Sequence, residues 1–214
     1  MRYKCVIFDW DGTVMDSVPK IVNTIHLAAK SCGIAPVSDE MAKSIIGLSL
    51  PKAMQVLFPQ HHEQVDSLVQ AYKYSYSNED ETPSPIFAGV ESLLKQLRDR
   101  GVKIAVATGK SRTGLDRLMA QYGLTEYFVA TRTACEAESK PHPDMLLQIL
   151  AELGIDAQQS VMIGDSIIDM ELAKNAGVDA IGVTLGVASK EQLSQTSACH
   201  ICDNYQDLSQ ILLA

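Results

Sequence analysis

Four short polar clusters hold the residues of this sequence that could do chemistry. They are Asp9-Trp10-Asp11-Gly12-Thr13, Thr108-Gly109-Lys110-Ser111, Ser139-Lys140-Pro141-His142-Pro143 and Gly164-Asp165-Ser166-Ile167-Ile168-Asp169. Asp9 and Asp11 sit on a turn that lets both side chains crowd one site, and carboxylates so close ionise cheaply only around a cation. Adding Asp165 makes an oxygen-rich set of three, suited to Mg2+ completed by water and a substrate phosphate. With that ion in place, Asp9 is favoured as an ionised nucleophile and the charge of a phosphate is masked. Thr108 supplies a hydroxyl donor, and Gly109 lets backbone approach an anion closely. Lys140 is a fixed cation that can pair with a carboxylate and a phosphate oxygen. Each cluster alone also has an ordinary use: an acidic turn can be a solvated loop or helix cap, Ser111 can be an N-cap, and a single lysine is commonly solvated. Four of them at strand ends argue for a site. The Gly109-Lys110-Ser111 run is no P-loop, because Ile104 stands where that loop needs glycine.

The elements that must position these clusters are legible as well. Lys4–Phe8 is a short apolar, β-prone run that stops at the Asp9 turn, and a run without alternation suits a strand buried on both faces. The pattern recurs at Val102–Ala107, Ser160–Ile163 and Asp179–Val183, with a weaker strand expected at Tyr127–Thr131. Between them lie helical spacings: Leu93, Leu94 and Leu97; Leu115, Leu118 and Met119 before Gly123; and Met145 to Leu153 before Gly154. Alternating strands and helices imply an α/β fold with a doubly wound, mostly parallel sheet. Such sheets bind ligands outside the carboxyl ends of their strands, where the clusters fall. From Ser17 to Pro85 the pattern is helical instead, at Ile21–Ala29, Met41–Ile46, Lys52–Leu57 and Glu63–Tyr76. The polar, proline-punctuated run Asn78–Pro85 reads as a linker back to the sheet. The expected organisation is a core of residues 1–16 and 86–214 with an inserted all-α unit of residues 17–85.

Composition bounds the function. The 214 residues are enough for one to two domains, and 46% hydrophobic with 21% charged residues is an ordinary globular balance. The net charge of −8 repels phosphate backbones, so no nucleic-acid partner is expected. No apolar run approaches the roughly 18 residues of a membrane span. Five cysteines at scattered positions suit a reducing compartment, so a cytoplasmic location is expected.

Together the clusters resemble the motifs of the haloacid dehalogenase-like hydrolase superfamily. Asp9–Val14 is similar to its first motif, DxDGT; Thr108 to the second, Lys140 in KPHP to the third, and Gly164–Asp169 to the fourth. The insertion after the first motif matches members with a helical cap. The runs FDWDGTVMDS and GDSIIDMELAKNAG most resemble the phosphoglycolate-phosphatase-like branch. The resemblance implies a Rossmann-like core with a cap that closes over the site, hinging near Asp16–Ser17 and Thr82–Pro85. It implies Asp9 as the nucleophile that becomes an aspartyl phosphate, with Asp11 as general acid and then base. It also implies Mg2+ held by Asp9, the Asp11 carbonyl and Asp165, with Asp169 as ligand or supporting carboxylate. Thr108, the Gly109 amide and Lys140 would clamp the phosphoryl group. The expected partner is a small phosphorylated metabolite, and the expected assembly a monomer or homodimer.

Asp11 argues against dehalogenating members, which lack the second aspartate, and against phosphonate-cleaving members, which carry alanine there. A phosphomutase keeps both aspartates and differs in its cap; a pyrophosphatase is a further alternative. The family's frequent cap arginine before Ile-Gly is replaced here by Lys43-Ser44-Ile45-Ile46-Gly47, a point charge in place of a bidentate fork. A phospho-accepting receiver module shares the strand-end aspartates and lysine but is shorter and lacks both the insertion and an acid–base group like Asp11, and a non-catalytic binding module on this fold would be expected to lack Asp9, Asp11 or Lys140. Cys199-His200-Ile201-Cys202 fits a last edge strand better than a metal site, and His61-His62 read as solvated. Tyr72, Tyr74 and Tyr76 read as cap core or interface, with some scope to shape specificity.

Overall fold

A computed structural model describes residues 2–214. Six parallel strands form one sheet: β1 (Cys5–Phe8), β2 (Lys103–Thr108), β3 (Ala130–Thr133), β4 (Ser160–Gly164), β5 (Asp179–Val183) and β6 (His200–Cys202), in the order β3-β2-β1-β4-β5-β6. Strand alternation decides which face each side chain enters. Val6 and Phe8 join Ile104, Val106, Val161 and Ile163 on one face, and Cys5 and Ile7 join Ala105, Ala107 and Met162 on the other. Both faces of β1 are therefore core, which is why its sequence shows no polar alternation.

The described helices, in chain order, are α1 (Val18–Ser31), α2 (Asp39–Ser44), α3 (Leu50–Leu57), α4 (Val65–Asn78), α5 (Val90–Asp99), α6 (Arg112–Gln121), α7 (Asp144–Leu153), α8 (Ile167–Ala176), α9 (Lys190–Ser194) and α10 (Tyr205–Leu213). Leucines of α5, α6 and α10 cover the first face, and apolar residues of α7, α8 and α9 cover the second. Helices α1 to α4 enclose a third cluster of their own, centred on Ile25, Met54 and Leu68. The starts follow local chemistry: Ser111 caps α6 by accepting from the Gly114 amide at 3.2 Å, and Ser166 and Asp169 cap α8 reciprocally.

One expectation needs correction. The weak strand expected at Tyr127–Thr131 lies at Ala130–Thr133, because residues 125–127 close a single 3-10 turn first. The run Asn78–Pro85, expected as a linker back to the sheet, is pinned at Asp80. The buried Asp80 carboxylate accepts from the Thr24 hydroxyl at 2.6 Å and the Thr82 amide at 2.9 Å, fastening the run to α1. Part of its polarity therefore serves hydrogen bonds within the protein rather than solvation. The chain's two crossings between sheet and insertion lie side by side. The Asp16 amide donates to the Pro85 carbonyl at 2.8 Å, and the Phe87 amide to the Val14 carbonyl at 3.0 Å.

The chain leaves β1 toward β2 on one side, and β4 toward β5 on the other. The β1–β4 boundary is thus the point where strand order reverses, where open α/β sheets form their binding crevice. Asp9 follows β1 and Asp165 follows β4.

Candidate active site

Parallel pairing runs one rung past β1, with the Asp9 amide donating to the Ile163 carbonyl at 2.8 Å. That rung holds the backbone of Asp9 against the end of β4. Carboxylate oxygens of Asp9, Asp165 and Asp169 all lie within 4.8 Å of one another, and all three residues are buried. Lys140, from the loop before α7, reaches into this group. Its Nζ lies 2.7 Å from Asp9 Oδ1 and 2.7 Å from Asp169 Oδ1, and the lysine is only 2% exposed. The solvated role open to a lysine ahead of a helix is not its role here.

Asp165 is fixed on every side. Its Oδ1 accepts from the Thr13 hydroxyl at 2.8 Å and its Oδ2 from the Val187 amide at 2.8 Å. Two glycines leave room for it. A Cβ on Gly12, whose φ is +78°, would fall 2.7 Å from Asp165 Cγ, and one on Gly186 would overlap the same carboxylate. Asp169 is committed through both oxygens, Oδ1 to Lys140 and Oδ2 to the Ser166 amide at 3.2 Å and hydroxyl at 2.6 Å.

The charge balance of this cluster is uneven. Burial pushes Asp9 up to about 7, although Lys140 pulls it back. Burial, then the Asp169 and Asp9 charges, push Asp165 well above the carboxylate range. Burial works against the Lys140 ammonium, but Asp169 and Asp9 more than offset it and hold the lysine above its ordinary value. One ammonium among three carboxylates leaves two negative charges uncompensated when all are ionised. A divalent cation with oxygen preference fits that donor set.

Asp11 faces elsewhere. Its Oδ1 accepts from the Ser17 hydroxyl at 2.7 Å and lies 2.9 Å from Lys110 Nζ. The expected crowding of the Asp9 and Asp11 carboxylates into one cluster is therefore corrected: Asp169 takes the third place beside Asp9 and Asp165. Asp9 and Asp11 instead share the wall of one cavity of about 710 Å³ between the sheet's carboxyl edge and helices α1, α3 and α4, with Thr108 and Gly109 beside them. Thr108 is buried, its Oγ1 accepting from the Lys110 amide at 3.2 Å. At Gly109 the missing side chain serves a close approach of backbone, since a Cβ would lie 2.5 Å from the Gly47 carbonyl oxygen. A second tie beside it runs from the Ser49 amide to the Ser139 hydroxyl at 3.0 Å.

Sequence reading gives Lys110 no role, and it gives the tyrosines scope to shape specificity without pairing Tyr72 with Tyr76. Lys110 sits inside a quartet read for its glycine and serine, and its position one residue past a strand-end glycine was the available signal. The tyrosines were read as an alternation of three. On helix α4 the relevant spacing is four, which stacks Tyr72 on Tyr76 with centroids 5.8 Å apart and leaves Tyr74 exposed. Lys43 is exposed and takes no part in the cavity wall, while Lys20 Nζ donates to the Asp80 carbonyl. The Cys199–Cys202 run supplies the edge strand β6.

Comparison with known proteins now bears on this geometry. A family model described as haloacid dehalogenase-like hydrolase matches residues 6–183. The chain is 35% identical over 209 residues to the probable phosphatase IndB of Dickeya dadantii, covering 95% of this chain and 90% of that protein. It is 26% identical over 218 residues to the phosphoglycolate phosphatase of Vibrio parahaemolyticus, covering 98% and 96%. The crystal structure of a hydrolase from Pseudomonas syringae superposes with a TM-score of 0.88 at 24% identity, over 98% of this chain and 97% of that one, a likeness of fold.

Proposed function

The chain belongs to the haloacid dehalogenase-like hydrolase family and is a phosphatase similar to the phosphoglycolate phosphatases, and we propose that it hydrolyses small phosphate monoesters with Mg2+ through an aspartyl phosphate on Asp9. What carries this reading is the buried cluster at the strand-order reversal, in which Lys140 bridges Asp9 and Asp169 beside Asp165. In this proposal Lys140 holds Oδ1 of Asp9, so Oδ2 is the oxygen that attacks phosphorus. The P–O bond to the alcohol breaks as the new bond forms, and the departing oxygen takes a proton from Asp11. Asp11 then removes a proton from water, whose oxygen attacks the same phosphorus, and Asp9 leaves as a free carboxylate with inorganic phosphate released. Ser17 and Lys110 orient Asp11 for both transfers. Thr108, the Gly109 amide and Lys140 hold the phosphoryl oxygens as charge redistributes among them. Asp9, the Asp11 carbonyl and Asp165 would hold Mg2+, which would mask the charge of the phosphate; Asp169, tied to Lys140 and Ser166, would be a further ligand or a supporting carboxylate.

Residues 1–16 and 86–214 act here as the catalytic core, and residues 17–85 as a cap that excludes water from the attack. The test is p-nitrophenyl phosphate turnover with Mg2+, with a chelator, and in Asp9→Asn. Chelation and the substitution should each lower kcat by about 10³-fold or more. A rate unchanged in Asp9→Asn removes Asp9 from the nucleophile's role, and a rate unchanged by chelation removes the metal.

A further inference from the structure

The cavity above Asp9 and Asp11 holds about 710 Å³. Cavities of roughly 300–1,000 Å³ accommodate ligands of many atoms. A two-carbon hydroxy acid beside its phosphate would leave most of this one to water. Part of the cavity wall is apolar, built from Ile21, Ile25, Met54 and Val69 with the flat stack of Tyr72 on Tyr76.

In that wall one polar group stands out. The Tyr76 hydroxyl oxygen is buried, and no described residue accepts its proton; the one polar group facing it is the Lys110 ammonium. Lys110, whose Nζ lies 5.2 Å from the Tyr76 ring centroid, has only donors and cannot accept the hydroxyl proton. A buried donor without an acceptor is uncommon and costly, so a ligand atom that accepts this proton would be bound preferentially.

The cations along the wall are already committed or lie in solvent. Lys110 pairs with Asp11 at 2.9 Å, and Arg112 pairs with Asp116 at 3.0 Å and Glu136 at 2.6 Å. Lys73 and Arg117 stand at the exposed rim of the same cavity, with no ion pair among the described residues. Residues 17–85 contain no arginine. A second anionic group on a substrate would thus find a free counter-charge only at that exposed rim, and one held in the apolar interior would bear a substantial desolvation cost.

We infer that the alcohol portion of the preferred substrate is uncharged, carbon-rich and ring-bearing, with an acceptor for the Tyr76 proton, rather than a short hydroxy acid such as glycolate. The inference rests on the phosphatase reading above. The test compares kcat/KM for phosphoglycolate, benzyl phosphate, 4-isopropylbenzyl phosphate and 4-acetylbenzyl phosphate, in the parent and in Tyr76→Phe. The last two esters match in shape and differ in the acceptor. The parent should favour benzyl phosphate over phosphoglycolate by tenfold or more, and the acetyl ester over the isopropyl ester by several-fold. In Tyr76→Phe the acetyl preference should vanish, while the preference over phosphoglycolate persists. Equal or better turnover of phosphoglycolate in the parent overturns the inference without any variant, and so does an acetyl preference that survives in Tyr76→Phe. Those outcomes leave the phosphatase reading standing as long as turnover is lost in Asp9→Asn. Absence of turnover on all four esters and on p-nitrophenyl phosphate removes both.

Discussion

Replacing Lys140 with methionine tests the electrostatics of the cluster directly. Methionine keeps most of the lysine's length and loses its charge, so the packing change is small beside the electrostatic one. Lys140 makes two ion pairs of 2.7 Å with carboxylates that are themselves buried. Breaking a buried pair by removing one partner costs about 3–5 kcal/mol, because the other charge is left unpaired. At about 2–4 °C per kcal/mol for a chain of this size, Tm without metal at pH 8 should fall by roughly 6–20 °C. The pH dependence follows from the directions of the shifts. Lys140 is held above its unfolded value, so its stabilisation is complete at neutral pH and is lost only in strong base. Asp9 is raised to about 7. An unfolded aspartate releases its proton near 3.9, so the stability tied to protonated Asp9 is full below that value and is lost as pH rises through about 7. Without Lys140 that window extends upward, because the charge pulling Asp9 down is gone. The cost of Lys140→Met should therefore be largest at pH 8 and shrink at pH 5, where Asp9 is protonated. Adding Mg2+ should raise Tm more at pH 8 than at pH 5 in the parent, since ion and proton compete for the same oxygens. Thermal unfolding of both proteins at the two pH values, with Mg2+ and with chelator, measures all of this. An unchanged Tm at pH 8 without metal, or an equal loss at both pH values, would refute the reasoning.

Other substitutions probe the backbone that frames the site. Gly186→Ala puts a methyl group where it meets the Asp165 carboxylate and lies 2.8 Å from Gly12 Cα. It should destabilise the fold by about 1–3 kcal/mol and weaken Mg2+ binding at least tenfold by calorimetric titration. Gly109→Ala drives a methyl group against the Gly47 carbonyl oxygen at 2.5 Å. That contact should prise the Gly47–Leu48 loop from the sheet edge, raise KM several-fold, and speed proteolysis near residues 80–86 relative to the parent.

The four polar clusters, the strands ahead of three of them and the helical interruption after the first were legible in the chain itself, for a local reason. A strand buried on both faces has to be apolar along its middle, as Cys5–Phe8 and residues 161–163 are, and a turn at its end has to be polar or glycine-bearing. Local rules say nothing about which distant groups meet. That Lys140 bridges Asp9 and Asp169, 131 and 29 residues away, depends on β1 and β4 lying side by side and on the loop before α7 folding back across them. The same dependence explains why Asp11, two residues from Asp9, turns to Ser17 and Lys110 instead of joining its neighbour. It also explains Tyr76, whose hydroxyl gains meaning only from the cavity that helix α4 shares with the sheet edge. Residue type and spacing determined which groups were available for phosphoryl chemistry. Strand order and helix packing decided which carboxylates share a cation, because burial and charge pairing are properties of neighbours in space.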